Sequence, residues 1–220
     1  DGRVFFVVPF GAHSIVGTTE VEVPSPPLGP AARPSADEVR YLRAELARAL
    51  PEPSRAPVLA VTGGIRPLLA AGGAVGEAPR EHRVFADGPI VTIAGGKYTT
   101  FRVMARDTLA RLALRLGREG RPFLDPLAPL PRPLGPGHPV ERLAEFAVDE
   151  EFARRVEDVV RRRTSLWLTP DRGRVAAAEV AAVLARRLGW DEARRRDELQ
   201  RYHDAVADEE RLLRRAWEEP

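Results

Sequence analysis

Pro89-Ile90-Val91-Thr92-Ile93-Ala94-Gly95-Gly96-Lys97-Tyr98-Thr99-Thr100 contains the change of period on which the fold turns. Its first six residues read as a strand. From Tyr98 to about Leu116, Phe101, Ala105, Leu109, Leu112 and Leu116 recur at helical spacing and predict one buried face. Gly95 and Gly96 punctuate the change, and Gly117 stops the helix. A strand running straight into a helix leaves the opening N–H groups, with their partial positive charge, beside the bend. An anionic or electron-rich group is favoured there, and the glycines let it approach the backbone closely. Lys97 stands at that bend and is the chain's one lysine against 33 arginines. The spacing is not that of a G-x-x-x-x-G-K-[ST] phosphate loop, and a tight turn capped by hydroxyls is the plain alternative.

Outward from this stretch, His82–Ala86 and Pro57–Thr62 read as further strands. Between them, Gly64-Ile65-Arg66-Pro67 sets an arginine between a glycine turn and a rigid proline, placed to fork onto a phosphate or carboxylate. Arg3–Phe10 and His13–Thr19 form a predicted antiparallel hairpin with Gly11 in its turn. Ser35 and Glu38 spell a capping box for a helix whose Val39, Leu42, Leu46 and Ala49 share a face, stopped by Pro51 and Pro53. Residues 122–139 hold seven prolines and no helical period. Everything beyond is helical, at about 140–163, 174–188 and 191–217, with Val156, Val159 and Val160 expected against Val180, Val183 and Leu184. The expected fold is therefore α+β. A mixed or antiparallel sheet with packed helices occupies 1–122, a proline-rich linker 123–138, and a small all-α bundle 139–220.

Composition narrows the function. The 220 residues are 44% apolar and 30% charged, which suits a globular chain. Charge is 34 − 32 = +2, so the sequence pI of 9.5 reflects arginine, which does not titrate, rather than a basic protein. The absence of cysteine excludes disulfides, thiolate metal sites and thiol nucleophiles. No apolar run is long enough for a membrane span and no signal peptide is apparent, so a cytoplasmic location is expected. His13, His82, His138 and His203 are scattered and argue against a metal, although Glu81-His82 would set an acid beside an imidazole near the sheet. No G-x-G-x-x-G opens a strand–helix unit. Aromatics are not interleaved with the arginines, which disfavours nucleic acid.

Several separate motifs in order resemble one family. Val-Val-Pro-Phe (7–10), Ile-Val-Gly-Thr-Thr (15–19), Gly-Ile-Arg-Pro-Leu (64–68), Pro-Arg-Glu-His (79–82) and Gly-Gly-Lys-Tyr-Thr-Thr-Phe-Arg (95–102) resemble the second half of FAD-dependent glycerol-3-phosphate dehydrogenase. Residues 152–164 and Leu188-Gly189-Trp190-Asp191 resemble its C-terminal helical domain. The resemblance implies oxidation of sn-glycerol 3-phosphate to dihydroxyacetone phosphate through FAD, with electrons passing to membrane quinone, or to oxygen in related oxidases. It implies Arg66 and Lys97 as catalytic and substrate-binding residues and Arg80 as a further substrate-pocket arginine. Gly95, Gly96, Tyr98 and Thr99 would lie against the flavin. The family's N-terminal FAD-binding segment and its histidine near the substrate C2 have no counterpart here, so the chain is expected to be inactive alone, with apolar surface that favours self-association. Glu20 stands where aspartate is usual and Phe10 where tryptophan is usual. A second reading is a non-catalytic interaction module, peripheral on anionic membrane through Arg161-Arg162-Arg163 and Arg194-Arg195-Arg196.

Overall fold

The computed structural model describes residues 4–21, 33–65, 69, 81–118, 132, 134–135 and 137–218. It is α+β and divides into two compact units. One comprises Asp1–Val21, Pro27–Gly63 and Pro133–Pro220; the other comprises Glu22–Pro26 and Gly64–Arg132. The division departs from the expected 1–122 domain, because residues up to Gly63 belong with the C-terminal helices. Most of the expected linker, 123–138, lies outside the described residues.

In the first unit, β1 (Phe6–Phe10) and β2 (His13–Gly17) form the expected antiparallel hairpin, with Val8 opposite Ile15 and Phe10 opposite His13. Gly11 turns it at φ +60°, a conformation that glycine adopts without strain. Helix α1 (Ala36–Ala49) starts on the predicted capping box. The Ser35 hydroxyl accepts the Glu38 N–H at 3.2 Å, and the Glu38 carboxylate accepts the Ser35 N–H at 2.8 Å. Val39 and Leu46 are buried, Leu42 is half-buried and Ala49 is exposed. Val39 packs with Leu213 and Ala216 of α5 (Glu192–Glu218), and Val58 and Val61 lean on the same cluster. This contact joins α1, Val58 and Val61 to the helical part.

The main core lies among α3 (Val140–Asp149), a π-helical turn (Asp158–Arg163), α4 (Arg174–Leu188) and α5. Val156, Val159, Val160, Val180, Val183 and Leu184 are all buried there, as the helical periodicity predicts. Each such side chain contributes about 1.5–3 kcal/mol by leaving water. The expected continuous helix over 140–163 is broken between Glu150 and Arg155. The Asp158 carboxylate accepts the N–H groups of Arg154 and Arg155, each at 3.0 Å. It therefore caps a fresh helical start, and Phe152 turns the chain at φ +57°.

In the second unit, β3 (His82–Asp87) and β4 (Ile90–Gly95) pair antiparallel, with His82 opposite Gly95 and Val84 opposite Ile93. Helix α2 (Phe101–Arg115) packs on both strands. The Arg115 guanidinium donates to the carbonyls of Gly88 and, at 3.3 Å, Ala86, closing the end of the hairpin. Among the described residues the strands form two antiparallel hairpins, in keeping with the expected α+β class, whereas Pro57–Thr62, expected as a strand, forms none. Moreover, the predicted buried face of α2 is exposed. Phe101, Ala105, Leu109, Leu112 and Leu116 all face solvent, while the half-buried positions are Arg102, Met104, Asp107, Thr108 and Ala113. The apolar period is real, but the hairpin packs against a different side of the helix.

Candidate functional site: the double-glycine turn

Gly95 and Gly96 take φ +76° and +90°, which swing the chain off the end of β4. Packing also requires glycine at position 95, where the neighbour is backbone, while at position 96 the neighbour is the end of a flexible methionine. A Cβ at Gly95 would stand 2.5 Å from the Glu81 carbonyl oxygen, and one at Gly96 would stand 2.5 Å from Met104 Sδ and 3.3 Å from His82 Cβ. The inner side of the bend is thus filled by its own unit.

The outer side is open. Lys97 is extended and exposed, and Tyr98, 92% exposed, begins a single 3-10 turn to Thr100 before α2. The Thr100 hydroxyl donates to the Lys97 carbonyl at 3.0 Å and accepts the Lys97 N–H at 3.3 Å, a reciprocal tie that fixes the backbone beneath the ammonium. Thr99 is also exposed, and the N–H groups that open a helix lack intrahelical acceptors. The bend therefore leaves Lys97, Tyr98 and Thr99 accessible, next to a base packed by glycine contacts.

Sequence reasoning missed one polar pair. His82 Nε2 lies 3.0 Å from Asp107 Oδ2, linking β3 to α2 directly behind Gly96. The partner is Asp107, not the adjacent Glu81. Side-chain hydrogen bonds from Arg106 and from His82 hold the Asp107 carboxyl below its ordinary range. The available signal was Asp107 itself, an acid within an apolar helical repeat at the level of the strand end. Lys97, Gly95, Gly96, Tyr98 and Thr99 come together as one turn, whereas Arg66 and Arg80 lie outside the described residues.

The arginine runs of the second, membrane-docking reading sit largely in ion pairs, as a balanced helix face would. Arg161 pairs with Glu209, Arg162 with Glu157 and Asp158, and Arg163 with Glu151. Arg194 pairs with Glu198, Arg195 with Glu192, and Arg196 donates to the Glu192 carbonyl. Acids on the same helical unit pair with five of these six arginines. No helix among the described residues is long and apolar enough to cross a membrane.

Comparison with known proteins decides the lineage of this turn and of the helices after it. Residues 99–195 match the C-terminal domain of alpha-glycerophosphate oxidase. Glycerol-3-phosphate dehydrogenase 2 of Mycobacterium tuberculosis is 30% identical over 250 aligned positions, covering 88% of this chain and 42% of the relative. Over most of its length the chain is similar to the glycerol-3-phosphate dehydrogenase family. Within that family, the Mycobacterium leprae enzyme is 31% identical over 85% of this chain, and the mitochondrial glycerol-3-phosphate dehydrogenase of Rattus norvegicus is 28% identical over 91%. The chain spans less than half the length of these glycerol-3-phosphate dehydrogenases. No solved structure matches it.

Proposed function

We propose that this chain supplies the substrate-facing turn and the helical domain of an FAD-dependent oxidation of sn-glycerol 3-phosphate to dihydroxyacetone phosphate. The observation that carries the reading is Lys97, exposed on a bend where two left-handed glycines end β4 and α2 begins. The donor set fits the edge of a flavin. Lys97, Tyr98 and Thr99 are exposed, while the space at Gly95 and Gly96 is filled by Glu81, Met104 and His82, so a planar group would meet the turn at residues 97–99. A bound flavin supplies the acceptor for the hydride that leaves C2, and quinone is the proposed onward acceptor.

This chain's own residues would bind and balance charge. The Gly95–Thr99 turn and the start of α2 place positive potential where electron density gathers. The Lys97 ammonium would sit against the substrate's oxygens and stabilise negative charge as the C2 hydroxyl loses its proton. Arg66 and Arg80 would take the phosphate, for which a planar guanidinium suits bidentate recognition. No glycine fingerprint for a dinucleotide occurs in these 220 residues, so the role proposed for them is confined to the substrate and the flavin edge.

In the flavin-loaded enzyme, Lys97→Ala and Arg66→Ala should each lower kcat/KM by the equivalent of about 2–4 kcal/mol, with Arg80→Ala costing less. Wild-type kcat/KM in both of the first two variants would overturn the assignment. Flavin retention and dye reduction by residues 1–220 alone would overturn the expectation of inactivity in isolation.

A further inference from the structure

Apolar packing does little to fix α2 on the β3–β4 hairpin. No residue of α2 is buried, and its half-buried positions include Arg102, Asp107 and Thr108 beside Met104 and Ala113. Apolar contact is non-directional, so a sparse interface lets a helix slide and rotate on its strands unless a directed bond fixes it. His82 and Asp107 make that bond, Nε2 to Oδ2 at 3.0 Å, from the first residue of β3 to the second turn of α2.

Both members are themselves held. Arg106 Nε donates to Asp107 Oδ1 at 3.0 Å, so the two carboxylate oxygens have separate donors. The carboxyl lies below its ordinary range, is ionised at neutral pH and can only accept. His82 Nε2 therefore carries the proton and donates. The His82 side chain is 19% exposed, and its Cβ would stand 3.3 Å from a Cβ at Gly96. His82 also lies opposite Gly95 in the hairpin register. The imidazole thus starts from the strand residue that backs both glycines and ends on the helix that follows them.

We propose that His82 and Asp107 are positioning residues: their hydrogen bond braces the end of the hairpin against α2 and so fixes the bend that carries Lys97. The inference rests on the reading above, in which Lys97 stabilises charge on the substrate's oxygens. Gly95 and Gly96, at φ +76° and +90°, are the pivots between β4 and α2. Glycine pivots are conformationally permissive and hold one angle only if the elements on either side are tied together. Without the tie, the start of α2 swings on the glycines and carries Lys97 with it. Displacement of a reacting group by about 1 Å can cost about a hundredfold in rate, so a brace that never touches substrate bears on turnover. Because Lys97 acts on charge that develops during the reaction, the loss falls on kcat more than on KM.

D107A separates positioning from packing. Alanine is the strongest helix former and the Asp107 side chain is 38% exposed, so the substitution does not weaken α2 itself. On the chain itself, hydrogen exchange of amides 97–101 should speed up about tenfold in D107A, with amides 84–93 unchanged. Unchanged exchange over 97–101 would overturn the brace. D107N, which keeps an oxygen for the His82 donor, should exchange more slowly there than D107A; equal rates would remove the hydrogen bond from the brace. In the flavin-loaded enzyme, D107A should lower kcat about tenfold and leave KM for glycerol 3-phosphate within about twofold. Unchanged kcat would overturn the positioning role. In a K97A background the same change should lower kcat by less than about twofold, because the group being aimed is gone. An equal loss in both backgrounds would return the pair to a structural role. Wild-type kcat/KM in K97A would remove the reading of Lys97 beneath the inference, while the exchange experiment judges the brace by itself.

Discussion

Residues 140–218 and residues 81–118 use apolar side chains in opposite ways. In the first, valines, alanines and leucines from α3, α4 and α5 close on one another, and Val156, Val159, Val160, Val180 and Leu184 reach zero exposure. In the second, no residue of α2 is buried, and Leu109 and Leu116 remain 46% and 58% exposed. Both sequences carry a clear apolar period. The difference shows that periodicity specifies a face, while the partner that covers the face is a separate matter. Among the described residues of this unit, the two-stranded hairpin offers surface to one side of α2 only.

The largest expected effect tests this contrast directly. Leu184→Ala should cost the chain about 2–5 kcal/mol, whereas Leu109→Ala should cost less than about 0.5 kcal/mol. Urea unfolding followed by tryptophan fluorescence suits the first, because Trp167, Trp190 and Trp217 all lie in the helical unit. Circular dichroism of the whole chain covers the second. Equal losses in the two variants would break the comparison.

Gly96→Ala comes next and asks how rigid the open unit is. The new methyl would meet Met104 Sδ at 2.5 Å at a φ of +90°, so a loss of about 1–3 kcal/mol is expected, read as faster hydrogen exchange in α2. Met104→Ala in the same background should restore part of the protection by making space. No change in Gly96→Ala would mean that the bend is not held by its neighbours.

The smallest effect sharpens the closed side. Burial pushes the Tyr202 phenol up to about 12 from 10.0, and its hydroxyl donates to the Arg172 carbonyl. Because the folded value lies above the unfolded one, the folded chain binds the proton more tightly. That contribution is complete below about pH 10 and disappears as pH rises toward 12. Tyr202→Phe should cost about 1 kcal/mol at neutral pH and flatten the alkaline decline in stability. An unchanged decline would assign it to another group.

Local signals written into consecutive residues were readable before any coordinates. The Ser35–Glu38 capping box, the Gly11 hairpin and the Val180–Leu184 face all depend on spacing within a single element. The α+β class followed from the change of period at Gly95-Gly96. What escaped the sequence depends on contacts between distant positions. Pro57–Thr62 has strand composition, but Glu209 and Arg172, more than a hundred residues away, take the backbone groups of Val58, Leu59 and Val61 that a strand would have paired. The break at 150–155 rests on the Asp158 carboxylate, which in sequence looks like one more surface acid. The His82–Asp107 pair was hidden because the neighbouring Glu81 offered a nearer acid with the wrong direction.

The leucine stripe along α2 also bears on how the protein is made. Translation proceeds from the N-terminus, so Phe101 to Leu116 leave the ribosome before Val140 to Leu213 exist to form their own core. During that interval the stripe is a ready target for chaperones and for like stripes on neighbouring nascent chains. Whatever shields it must already have been synthesised or must come from another molecule, which makes the order of synthesis as consequential for yield as any single residue.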